Sequence, residues 1–150
     1  MNIFYTSHCP IECAKHLDDK RVVKMTLETA QMICVALMHY GESAPYKATH
    51  VNHPCTRWAC ESPANLRWLY EHFKALCSEY TARYGKIHKC EQIMPQMPLF
   101  VAQACASEAT PHADCTTYKS EEWDLCTKYR AYLCDKWETD KRTPTWYGVT

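Results

Sequence analysis

Apolar residues recur along the chain at helical spacing. Val23, Leu27, Ala30, Cys34 and Leu37 follow one another at steps of 4, 3, 4 and 3, the stripe of an amphipathic helix. A residue of N-cap type, Asp18 or Asp19, precedes the stripe and Gly41 stops it. Upstream, Pro10 suits the first turn of a short helical element running to about Leu17. A second long stripe consists of Leu66, Leu69, Phe73, Leu76, Cys77 and Tyr80. It begins behind Ser62-Pro63, a cap residue with proline at the first helical position, and ends at Gly85. Residues 42–53 read as a loop, and Pro95 and Pro98 break the middle of the chain. A last helix is predicted from about Thr117 to Trp137, with Trp123, Cys126, Tyr129, Arg130 and Leu133 near one face. Glu121, Glu122 and Asp124 would sit in its early turns, where the helix dipole favours acids. The pattern predicts an all-α chain forming a single helical domain over residues 1–150.

Composition narrows the picture. At 150 residues and 47% apolar content the chain supports one real core and is not a disordered segment. Only three glycines are present, too few for the turns and phosphate loops of sandwich or dinucleotide-binding folds. Net charge is zero, with 11 Lys/Arg against 8 Asp/Glu in residues 1–89 and 6 against 9 in residues 90–150. That balance permits a local basic face without the overall excess usual in nucleic-acid binders. No apolar run is long enough to span a membrane, and no signal-peptide pattern opens the chain, so a cytoplasmic location is expected. Eleven cysteines without a secretion signal, and with no Cys-x-x-Cys, read mostly as small buried hydrophobes. The spacing disfavours a zinc or iron–sulfur site built on Cys9, Cys13 and a histidine. No metal is expected.

The first long helix carries charges beside its stripe. Arg21, Lys24, Glu28 and Gln31 follow at steps of 3, 4 and 3 and share a face. On this helix alone the plain reading is a solvated rim, with Lys24 and Glu28 as an i,i+4 pair worth about 0.3 kcal/mol. The functional reading is a carboxylate held among cations near the N-terminus. His50 and His53, ahead of Pro54, form another polar cluster, either capping backbone groups or lining a pocket. Tyr5 and His8 are close enough in sequence to the N-terminus to line the same site, and His16 begins the charged helix, where it could contact phosphate.

Three stretches read together resemble the pyrimidine-dimer DNA glycosylases, the T-even phage endonuclease V type. Leu17-Asp-Asp19-Lys-Arg-Val-Val-Lys-Met-Thr-Leu-Glu28 resembles that family's Leu-x-Asp-Gln-His-Leu-Met-x-x-x-x-Glu segment. His53, with Leu66-Arg-Trp-Leu69 through Glu79-Tyr-Thr-Ala-Arg83-Tyr-Gly85, resembles its helix ending Glu-x-x-x-Arg-Gly. Arg142-Thr-Pro-Thr-Trp-Tyr147 resembles its Arg-Pro-Thr-Trp-Tyr. The resemblance implies a compact helical, monomeric phage enzyme in the cytoplasm of a bacterial host. Such an enzyme removes one base of a UV-induced dimer from double-stranded DNA and then nicks the strand, with no cofactor. It implies the N-terminal α-amine as nucleophile on the sugar C1′, placing Met1 and Asn2 at the catalytic centre, and Glu28 as the assisting carboxylate. Lys20, Arg21, Lys24, His16, His53 and Arg142 become candidate DNA contacts, with Trp146 and Tyr147 lying against the duplex. The residue types suit the chemistry: α-amines as a class titrate at about 8, so a useful fraction is neutral at physiological pH, and a carboxylate stabilises the positive charge that builds on the sugar.

The chain departs from the family at Leu27 and Gln31, where the family has arginines flanking the glutamate, and at Asn2, which is bulkier than the second residues that favour removal of Met1. Those departures and the zero net charge keep two other readings open. One is a glycosylase acting on a modified base in phage DNA. The other is a non-catalytic module binding nucleic acid or a host protein, with Trp58, Trp68 and Tyr70 as anchors.

Overall fold

The structure, a computed structural model, describes residues 1–150 and contains helices and connecting segments with no strands. α1 spans Pro10–His16, α2 Asp19–His39, α3 Pro54–Glu61, α4 Pro63–Tyr84, α5 Lys89–Ile93, α6 Leu99–Ala102 and α7 Leu125–Thr139, with one 3₁₀ turn at Ala106–Glu108. The all-α expectation agrees with this architecture, and no helix is long and apolar enough to cross a membrane. α2 and α4 form the centre, with α3 packed on both and α1 laid against α4.

Capping chemistry sets the helix boundaries. Asp18 accepts the Arg21 N–H at 3.2 Å and starts α2. Ser62 accepts from Asn65 N–H at 3.1 Å and starts α4, which ends on Gly85 at φ +69°. His53 caps α3 through Nδ1, which accepts the Cys55 N–H at 3.1 Å. The stripe expected on α4 is buried throughout, from Leu66 to Tyr80. Two expectations need correction. α7 starts at Leu125, not near Thr117, because Asp124 is its cap, accepting Thr127 N–H at 2.8 Å, while Asp114 takes the Thr116 N–H and hydroxyl and holds the preceding segment in turns. Trp123 therefore precedes the helix and is exposed, as is Arg130, while Cys126, Tyr129 and Leu133 are buried. In α2 the buried face is Val22, Met25, Ala30, Ile33 and Leu37, whereas Val23 and Leu27 are exposed. The N-terminal half of α2 is rotated because Leu17, Val22 and Met25 fill a second cluster with Leu76, Tyr80 and Leu133, separate from the main core around Ile33, Trp58 and Tyr70.

The N-terminal segment joins the two clusters. Ile3 enters the main core and Phe4 the second cluster. Asn2, itself buried, accepts the N–H groups of Ile3 at 2.8 Å and Phe4 at 3.0 Å. Phe4 sits at φ +57°, a left-handed conformation that costs a non-glycine residue on the order of 1–3 kcal/mol and persists where its surroundings impose it.

Arg83 braces the other end of α4. Its side chain is 1% exposed, donating to Leu17 O at 2.5 Å and Lys15 O at 3.1 Å and pairing with Glu79 at 3.2 Å and Asp19 at 3.3 Å. The C-terminal tail closes over this brace. Thr145 hydroxyl and Tyr147 N–H donate to Asp19 Oδ2, and Thr150 donates to Glu79. Replacing Arg83 by Met leaves two carboxylates short of their cation and is expected to cost about 3–5 kcal/mol, read as a lower urea midpoint. Because the fork serves two carbonyls and two acids together, Arg83→Lys should recover only a small part of the loss. A urea midpoint unchanged in Arg83→Met would refute the brace.

Candidate active site

The fold converges on the N-terminal amine. The Met1 α-amine lies 2.9 Å from Glu28 Oε1, with the Met1 side chain 1% exposed and the Glu28 side chain 14% exposed. Met1 packs against the main core, Asn2 pins the turn behind it, and α2 carries Glu28 two and a half turns from its own start. The surface pair expected between Lys24 and Glu28 does not form; the carboxylate's ion-pair partner is the amine. Glu28 Oε2 is buried and meets no protein donor, so this oxygen is free to serve a group from outside the protein. Asn2 shapes the turn and presents no group of its own to the amine beyond that.

His53 stands beside this pair. Burial and the Met1 ammonium charge lower its basicity, opposed by Glu28, so the ring is neutral at physiological pH. Cys55 and Cys115 lie on the same side, their sulfurs 3.7 Å apart. Cys115 arrives from the segment before α7, held there by Tyr129, whose hydroxyl accepts the Cys115 N–H at 3.1 Å and donates to Ala113 O at 2.6 Å. The spacing of Cys9 and Cys13 gave no hint of this grouping, because Cys55 and Cys115 are 60 positions apart and meet only through the fold.

The remaining predicted residues divide into two sets. Lys20 and Lys24 precede Glu28 at i−8 and i−4 on the exposed face of α2, covering about 12 Å of helix. They share a groove with Arg142, Thr143 and Tyr84, and all three cations are exposed. Tyr147 is 74% exposed. Arg21, by contrast, is fully engaged: it pairs with Asp140 at 2.7 Å and Asp18 at 3.1 Å and clips the segment after α7 to the start of α2. Its expected role as a phosphate contact gives way to a structural one. Trp146 is also partly committed, donating to His16 O at 3.1 Å and meeting Trp137 edge-on at 4.9 Å. His16 bonds Thr6 at 2.8 Å through its ring. Tyr5 and His8 belong to an aromatic stack in which Tyr5 lies 3.8 Å from His112, itself 3.8 Å from Trp58. Trp58 and Tyr70 are each 2% exposed, so neither is a surface anchor.

The structure defines an all-α domain whose N-terminal amine is paired with a half-buried glutamate on a central helix. Among known families, the pyrimidine dimer DNA glycosylase family matches residues 1–92 of the 150. The chain belongs to that family. The matched residues hold Met1, Glu28, His53 and the Glu79–Arg83 brace, while Arg142, Trp146 and Tyr147 lie beyond them. Comparison with curated proteins and with solved structures returned no match.

Proposed function

We propose that the chain excises damaged pyrimidines from double-stranded DNA, with the Met1 α-amine as nucleophile and Glu28 as its carboxylate partner. The observation that carries this reading is the 2.9 Å contact between the amine and Glu28. Glu28 takes a proton from the ammonium, and the nitrogen lone pair attacks C1′ of the damaged nucleotide. The N-glycosidic bond breaks, its electron pair leaves with the base, and the base takes a proton. That proton comes from Glu28, and the carboxylate so restored, its Oε2 unpartnered, stabilises the positive charge on the sugar. The attached nitrogen loses a proton and the C1′–O4′ bond breaks, O4′ taking a proton, so that the sugar opens to a protonated imine; the imine acidifies the C2′ proton, whose removal expels the 3′ phosphate oxygen and nicks the strand, and water then releases the enzyme. Each step uses groups of this chain and water. Incubation with a duplex carrying a single cyclobutane thymine dimer should yield a nick at the dimer and none in the undamaged duplex. No base loss and no nick would remove this function.

Lys20, Lys24 and Arg142 are proposed as phosphate contacts. Lys24→Gln should weaken duplex binding several-fold at low salt and reduce the slope of log affinity against log salt by about 0.9, the counterion equivalent of one phosphate. Arg21→Gln should leave that slope unchanged and lower stability instead, because Arg21 is already paired. Fluorescence anisotropy across a salt series separates the two outcomes, and an unchanged slope in Lys24→Gln would reject Lys24 as a phosphate contact. A second reading, action on a modified base other than a dimer, draws on Leu27, which stands exposed beside Glu28 where the family carries arginine. A panel of modified duplexes in the nicking assay tests it.

A further inference from the structure

Eleven free cysteines are spread through the fold, yet two of them come together with a histidine. We infer that His53, Cys55 and Cys115 form a site for a transition metal of the zinc class. The ligand set suits such an ion: two sulfurs and one imidazole nitrogen lie within 4.8 Å of one another and match the thiolate and imidazole preferences of zinc. Two thiolates bound tetrahedrally at about 2.3 Å from zinc are about 3.8 Å apart, and the Cys55 and Cys115 sulfurs already stand at 3.7 Å. A disulfide would need them to close to about 2.0 Å.

Each ligand is available. His53 Nδ1 carries a lone pair, shown by its acceptance of the Cys55 N–H. Nδ1 ligation keeps that tautomer and exchanges one weak cap bond for a coordinate bond. Cys55 is buried and Cys115 half-buried, so an ion can enter from the Cys115 side. Tyr129 fixes the loop that delivers Cys115. Binding releases the two thiol protons to solvent and leaves two thiolates on the ion.

The test is an anaerobic titration of reduced, metal-free full-length protein with Co(II), followed by Zn(II) displacement. The expected result is one equivalent of Co(II) with a thiolate charge-transfer band and intense visible bands of tetrahedral cobalt. Both should be lost in Cys115→Ala, retained when the exposed Cys105 and Cys134 are replaced by alanine, and displaced by one equivalent of zinc. Failure to bind one equivalent, an equal band in Cys115→Ala, or a Cys55–Cys115 disulfide that forms in place of metal binding would overturn the site.

Discussion

Glu28→Gln is expected to reduce base excision by ~10²–10⁴-fold, the range lost when a group that moves a proton or stabilises charge in the transition state is removed. The loss should appear in the chemical step under single-turnover conditions, and affinity for the damaged duplex should hold or rise, since a negative charge leaves the binding face. The substitution is mild for the fold. The amide oxygen of glutamine still accepts from the Met1 amine, and neither the Asn2 turn nor the packing of Ile3 and Phe4 depends on the charge. A thermal midpoint within a few degrees of wild type therefore accompanies the loss. Excision within threefold of wild type would show that Glu28 is only the amine's structural counter-ion.

Blocking the N-terminus is expected to have the larger effect, complete loss of the covalent intermediate. Acetylation turns the amine into an amide with no nucleophilic lone pair. A two-residue extension keeps an amine but displaces it by up to about 7 Å, against a present separation of 2.9 Å from Glu28. The buried Met1 side chain leaves little room for the added chain. Both forms should bind damaged duplex within a few-fold of wild type, because the exposed cations at Lys20, Lys24 and Arg142 are untouched. Intact mass fixes which first residue is present in each preparation. Full trapping by an acetylated chain would move the nucleophile to a lysine.

Much of the scaffold is legible locally. Asp18, Ser62, Gly41 and Gly85 bound the two central helices through caps whose chemistry is complete within four residues, and the α4 stripe is buried as its spacing implies. The pairing of Met1 with Glu28 was reachable only through the family resemblance, since nothing in the period of α2 distinguishes Glu28 from a surface acid. What escaped the sequence depends on distant partners. Val23 and Leu27 look like core until Leu17 and Leu133 draw the neighbouring face of α2 inward. Arg21 looks free until Asp140 meets it across 119 positions. Cys55 looks like a buried hydrophobe until Cys115 arrives beside it.

The most direct measurement is borohydride trapping on a duplex carrying one cyclobutane thymine dimer, followed by peptide mapping of the cross-link. The amine–carboxylate account predicts a covalent band formed only with damaged DNA, absent in Glu28→Gln and in acetylated protein, with the adduct mass on the Met1 nitrogen. An adduct on any other nitrogen, or dimer excision with no trappable intermediate, would contradict it.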